Sequence, residues 1–333
     1  MTKTLLTTII PTYRRPQLLK KAIQSVLSQT NPDFQLWVCD NASGDETAET
    51  VAEFAQNDPR VHYFCHEKNI GMLKNYEFGL SLVNTEFFSF LSDDDVLLPN
   101  FYETALQEFQ KHHDAGFVAC STAIIREKGD VVRIPLSDWP REGKFNPPDG
   151  VYEMIGKYPV PTSVLFRKKA TSQVCIDLGN PRFWDCDYLL QIAAAFPIVI
   201  SKKICALFRQ HEDSFSNQPN FESHESGHKN LIRNIQKNQN LTAGQSQRAT
   251  HLLQIDLVRC YNHFFLFFLL KRQFKDAHRV AKLIGQYPAF KSKSLLYTAM
   301  TKICRLFPFS CYGLYMLKSL KNLLRKLKTS NNF

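Results

Sequence analysis

Paired cysteines are missing from this sequence. Nine stand singly along 333 residues, with no C-x-x-C pair and no His-rich partner to one at zinc spacing. That excludes a zinc ribbon and a dithiol redox centre, and it predicts reduced core thiols in a cytoplasmic protein. An apolar leader is missing too: Met1-Thr2-Lys3-Thr4 runs straight into a short β-like segment, so no secretory signal is expected. No stretch of about 20 apolar residues suggests a membrane span; Phe264 to Leu270 is apolar on every side but too short. The first apolar run is followed by Pro11-Thr12-Tyr13 and not by the glycine-rich loop that a nucleotidyltransferase needs to wrap phosphates. Acidic residues are scarce in one place only. Residues 223–333 hold 3 Asp+Glu against 19 Lys+Arg, a net of +16, whereas residues 1–222 hold 28 against 22, a net of −6. The overall charge of +10 therefore belongs to the last third, and so does any question of an anionic partner.

What is present begins with alternation. Leu5–Ile10, Phe34–Cys39, Val61–Cys65 and Phe87–Leu91 read as strands; Arg15–Gln29, Glu46–Gln56 and Asn75–Leu82 carry apolar residues at helical spacing. Right-handed crossovers build such a βαβαβαβ chain into a doubly wound, Rossmann-like sheet. Ligands of such sheets bind beyond the carboxyl ends of the strands. Pro11-Thr12-Tyr13-Arg14, Asp40-Asn41 and Ser92-Asp93-Asp94-Asp95 each follow a strand, so three separate clusters are expected along one edge. Further mixed structure is expected to about residue 222, with an irregular stretch from Pro135 to Pro161. A helical region over 223–333, broken at Pro288 and Pro308, completes the chain.

Three consecutive carboxylates after an apolar strand repel one another unless a cation or water relieves them. Asp93-Asp94-Asp95 thus suggests a hard divalent ion, Mg²⁺ or Mn²⁺, held by one or two carboxylates and by substrate phosphates. A solvated loop, or a cap on the helix after Pro99, is the plain alternative. A phosphatase using D-x-D-x-T/V chemistry is disfavoured, because Leu97 stands where Thr or Val is needed.

Taken together, these clusters resemble the inverting family 2 glycosyltransferases of the GT-A fold, over about residues 5–217. Ile9 to Pro16 resembles the family's opening nucleotide-contacting turn, through Pro11, Thr12, Tyr13 and Arg14. Val38 to Thr47 is similar to its second motif, where the residue at Asp40 contacts the base. Asn69-Ile70-Gly71 with Lys74-Asn75 resembles the loop over the nucleotide, and Phe90 to Asp95 the metal-binding D-x-D region. Phe183 to Tyr188 resembles the acceptor-side motif, which makes Asp185 the implied general base with Asp187 as its rival. Phe208 to Ser216 resembles the late segment that covers the diphosphate, through Arg209, and supplies a metal-ligating His211.

The resemblance implies a metal-dependent transfer of one sugar from a nucleotide-diphosphate donor, a UDP-sugar by preference, to a hydroxyl of a glycan or lipid-linked acceptor. Asp94, Asp95 and His211 would hold the metal and Asp93 would contact ribose. Ser92, Trp184 and Gln191 depart from the family pattern, and the Gln-x-x-Arg-Trp motif of processive synthases is absent. A non-catalytic nucleotide-sugar-binding scaffold is the competing reading. In the basic tail, Leu317, Leu320, Leu323, Leu324 and Leu327 share one helical face, beside Lys318, Lys321, Arg325 and Lys328. Such a helix suits the inner, anionic face of a membrane; self-association into a homo-oligomer competes, and no nucleic-acid-binding motif accompanies the charge.

Overall fold

Seven consecutive buried residues make β1 (Leu6–Thr12) a strand covered on both faces. Its hydroxyls are satisfied inside: Thr7 meets Thr85 at 2.6 Å, and Thr8 meets Ser89 at 2.8 Å and Tyr102 at 2.5 Å. The computed structural model describes residues 4–126, 129–210 and 220–306. The chain divides into two compact units, Met1–Leu252 and Leu253–Phe333.

In the first unit β1 leads to α1 (Pro16–Leu27), β2 (Phe34–Asp40), α2 (Thr47–Ala55), β3 (Val61–Cys65), α3 (Met72–Ser81) and β4 (Phe87–Phe90). Proline at the first position of α1 gives up an N–H that no helical carbonyl needs. The chain goes outward from β1 to β2 and β3, then returns to place β4 on the other side of β1, all in parallel. The turn of direction lies beside β1, and Thr12 pairs with Asp40 in register, so the loops after β1, β2 and β4 share one edge.

Beyond β4 come β5 (Val96–Leu97), α4 (Phe101–Lys111), β6 (Phe117–Arg126), β7 (Val131–Arg133), β8 (Gly143–Phe145), α5 (Asp149–Met154) and β9 (Val164–Arg167). They are followed by α6 (Lys168–Thr171), α7 (Trp184–Ala195), β10 (Ile198–Gln210) and α8 (Phe221–Lys237). The sheet runs β3-β2-β1-β4-β9-β6-β10-β5, and β9 is antiparallel to both its neighbours. Mixed pairing of this kind leaves little trace in periodicity. β9 has four residues, and the pairing of β10 with β6 shifts register around Ser201–Ala206, where Lys202-Lys203 interrupts the apolar run. The stretch from Pro135 to Pro161 is also more ordered than its prolines suggest. It holds β8 and α5, and Trp139 is buried with its indole N–H donating to the Lys157 carbonyl at 2.8 Å. α8 lies in the first unit.

The long helix α9 (Ala243–Leu270) straddles the two units; α10 (Phe274–Gly285) and α11 (Lys291–Leu306) belong to the second. Against the expectation from sequence, α9 is by length and composition apolar enough to cross a membrane, with 39% of that window buried in the protein. Within the second unit its Phe265 stacks on Tyr297 of α11 at 3.9 Å. α10 buries Ala277, Val280, Ala281 and Ile284 at helical spacing. Ser294 of α11 donates to the Ala281 carbonyl at 2.6 Å, in the space that glycine at 285 leaves open.

Candidate active site

The loops at the sheet edge are bonded to each other. Thr12 Oγ1 donates to Asp93 Oδ2 at 2.8 Å, and the Tyr13 N–H approaches the same oxygen at 3.4 Å. Arg14, held at a φ of 57°, donates from its N–H and its Nε to Ser43 at 2.9 and 3.1 Å. Asn41 accepts from the Ile70 N–H at 2.8 Å and donates to Asn69 at 3.0 Å, so the third loop is tied to the second. The three strand-end clusters do meet, joined through Thr12 with Asp93 and Arg14 with Ser43, of which Ser43 is not among the expected site residues.

Each expected residue among those described has a definite place. Pro11 is buried in β1 opposite Cys39. Asp40 is 2% exposed and engaged by the protein: Oδ1 accepts from the Ser43 N–H and hydroxyl at 2.9 and 2.6 Å, Oδ2 from the Tyr63 hydroxyl at 2.7 Å. One lone pair on Oδ2 is left for an incoming N–H. Asn69 is exposed, as is Lys74 in the first turn of α3. Its neighbour Asn75 donates to the Cys39 carbonyl at 2.7 Å and faces His66 Nε2 at 3.0 Å, which makes that ring nitrogen the donor. His211 lies outside the described residues.

The aspartate triplet separates into two jobs. Arg15 Nη1 sits between two of the three, 3.1 Å from Asp93 Oδ1 and 2.9 Å from Asp94 Oδ2. Burial pushes the Asp93 carboxyl up to about 6 against the pull of Arg15, and Asp94 beside it adds to the rise. Burial works against the Arg15 charge, and the two carboxylates outweigh it, raising its pKa. Asp95 points the other way: Oδ2 accepts from Thr162 Oγ1, Oδ1 from the Arg209 N–H at 3.0 Å. Burial first, and the Asp94 charge second, raise its carboxyl well above the usual range. Asp95 therefore fastens the loop before β9 and the end of β10 to the triplet. The Arg209 side chain adds a buried Nε with no hydrogen-bond partner among the described residues. No cluster of three or more His, Cys, Asp or Glu with metal-holding geometry occurs among the described residues. A pair of carboxylates that already grips one cation nonetheless suits an ion that takes its remaining ligands from a diphosphate.

Asp185 stands at the start of α7, half-buried, its Oδ1 accepting the Cys186 N–H at 2.9 Å. Burial raises its carboxyl above the ordinary value. Trp184 before it packs on Tyr76 at 4.6 Å and Phe90 at 5.8 Å, and the Tyr76 hydroxyl lies 3.4 Å from that of Ser92. This aromatic chain sets the first turn of α7 against the end of β4. Asp187 opens elsewhere, onto a cleft of about 760 Å³ lined also by Lys169, Asp177, Gln191 and Asn234. Its two oxygens accept from Asn234 at 3.1 Å and Gln191 at 3.4 Å, and burial pushes it up to about 6. Besides Ser43, Arg15, Thr162 and Tyr76 are site residues that the motifs alone did not single out. Arg15 could have been found as the cation nearest a run of acids at a shared strand edge; nothing local marks Thr162.

The family model described as Glycosyl transferase family 2 matches residues 7–174, just over half of the 333. The GalNAc(5)-diNAcBac-PP-undecaprenol beta-1,3-glucosyltransferase of Campylobacter jejuni is 33% identical over 127 residues, 38% of this chain and 40% of that protein. Chondroitin synthase of Escherichia coli is 29% identical over 123 residues, 37% of this chain and 18% of its own. The chain thus spans well under two thirds of either relative. Among solved structures, S. aureus TarS 1-349 in complex with UDP superposes with a TM-score of 0.66 at 16% identity, covering 91% of both chains. The mannosyltransferase PcManGT of Pyrobaculum calidifontis, in complex with GDP-Man and Mn²⁺, gives 0.53 at 12% identity, over 91% of this chain and 87% of its own. These likenesses show the GT-A fold. Matched over half its length, on the sheet whose strand ends carry these loops, the chain belongs to glycosyl transferase family 2.

Proposed function

We propose that the chain moves one sugar, with inversion, from a UDP-sugar to a hydroxyl of a glycan or lipid-linked acceptor. The observation that carries this is the cation seat at the sheet edge, where Arg15 lies between Asp93 and Asp94, while the Arg209 backbone N–H is bonded to Asp95. Mg²⁺ or Mn²⁺ on Asp94, with Asp93 and Asp95 holding that loop, would act as Lewis acid for the leaving diphosphate. Thr12 and the Asp40–Ser43 loop hold the nucleoside end, with the last lone pair of Asp40 Oδ2 set for a base N–H. Arg15, Arg209 and Lys74 supply positive charge to the phosphates. Asp185 takes the acceptor proton: the acceptor oxygen bonds to the anomeric carbon while the bond to the diphosphate oxygen breaks, and the nucleotide leaves with the electron pair. A relative named for an undecaprenol-linked substrate supports a lipid-linked acceptor, and the TarS complex with UDP supports uridine. The leucine and lysine faces of residues 317–328, outside the described residues, would hold the enzyme at the inner membrane face.

The test is a panel of nucleotide sugars screened by thermal shift with and without Mn²⁺, followed by donor hydrolysis. A UDP-sugar should raise the melting temperature only when metal is present. Equal shifts without metal would remove the metal from the reading, and no shift with any donor would sink it.

A further inference from the structure

α11 carries two apolar faces, and protein covers one of them. On the inner face Tyr297 stacks on Phe265, and Thr301 and Cys304 are buried. On the opposite face Leu295 is 73% exposed, Leu296 58%, Ile303 52% and Leu306 74%. Leu295 and Leu306 are the most exposed large apolar side chains among the described residues. At helical spacing the four form one stripe with Ala299 along their middle. A contiguous stripe of that kind is unfavourable in water and marks a surface that something else covers.

Charge selects the covering partner. Lys291, Lys302 and Arg305 are exposed on the same helix, along one margin of the stripe. Residues 253–333 hold 15 Lys+Arg against two acids, Asp256 and Asp276. A second copy docked through the same face would bring a like-charged surface against this one, which electrostatics opposes. An anionic bilayer meets both needs at once, taking leucines into the acyl boundary and lysines at lipid phosphates.

We infer that α11 is a membrane-docking helix, with Leu295, Leu296, Ile303 and Leu306 inserted at the headgroup–acyl boundary of an anionic leaflet. Lys291, Lys302 and Arg305 pair with its phosphates. This contact is separate from the one assigned to residues 317–328 and stands on exposure and charge alone, so it does not depend on the transferase chemistry. Two weak interfacial contacts in one chain reinforce each other through effective concentration.

Flotation of the full chain tests it, using phosphatidylcholine vesicles with and without about a third phosphatidylglycerol. The parent should float with anionic vesicles and stay behind with neutral ones. Combined Leu295→Gln, Leu296→Gln, Ile303→Gln and Leu306→Gln changes should cut anionic flotation by about tenfold or more. Combined Lys291→Glu, Lys302→Glu and Arg305→Glu changes should do so without any loss of apolar surface. Melting temperature and donor hydrolysis should stay at parental values in both variants, since every substituted side chain is exposed. Undiminished flotation of the leucine variant would overturn the inference, as would a parent that floats with neither vesicle. A parental dimer that the leucine changes dissociate, with flotation intact, would overturn it in favour of a self-interface.

Discussion

Asp185 and Asp187 lie two residues apart on α7 and face different surroundings because a helix turns about 100° per residue. Asp185 is half-buried at the helix start, beside the aromatic chain that reaches Ser92. Asp187 is held by Asn234 and Gln191 in the second cleft. Asp185→Asn should leave the donor-induced thermal shift intact and lower kcat by about 10²- to 10⁴-fold, the range for loss of a general base. Because burial raises the Asp185 carboxyl, the acid limb of the parental kcat profile should lie above the ordinary aspartate value of 3.8. Asp187→Asn should retain transfer and alter stability instead. The folded value of about 6 exceeds the ordinary 3.8, so the folded state binds the extra proton. The stability this adds is full below the lower value and lost as pH rises through the upper one. Asp187→Asn should therefore gain on the order of 1–3 kcal/mol over the parent at pH 8 and nothing at pH 4, read from melts across pH.

At the scale of elements, the site depends on how closely α3 lies on β1 and how firmly β10 is tied to the triplet. Glycine at 79 lets α3 touch the sheet: a Cβ there would meet Ile9 Cγ2 at 2.4 Å. Gly79→Ala gains some helix propensity but forces that contact apart, and overpacking of this kind costs about 1–3 kcal/mol. The substitution should lower the melting temperature and weaken donor binding together, because α3 carries Lys74 and, through Asn75, holds the Cys39 carbonyl next to Asp40. Unchanged stability on denaturant titration would show that the helix shifts without consequence.

Across the whole molecule, charge is divided by sequence region. Residues 1–222 are net −6 and residues 223–333 net +16. An acidic catalytic portion favours metal and disfavours non-specific anion binding, while the basic remainder draws the chain toward anionic surfaces. Association with anionic vesicles should therefore weaken steeply between about 0.05 and 0.5 M salt as screening shortens the reach of charge. Thermal shift by donor and metal, which depends on buried groups, should change little over the same range. Co-sedimentation and melting measured in parallel buffers separate the two responses.

The parallel half of the sheet and the identity of its chemical groups were legible in the sequence, because strand, helix and strand-end loop are local patterns. β1 to β4 end in the loops that Thr12, Asp40 and Asp93 announce, and parallel crossovers leave those loops no other edge. Contacts between residues distant in sequence were decided by the fold alone. Asp95 reaches Thr162 across 67 residues and Arg209 across 114, contacts that no local pattern marks. Arg15 enters the gap between Asp93 and Asp94 only when β1 and β4 pair. β9 enters between β4 and β6 and runs antiparallel to both, a fact no four-residue pattern contains. The stripe on α11 shows the same limit from outside: periodicity marks a helix as amphipathic, and packing decides which of its apolar faces the protein keeps.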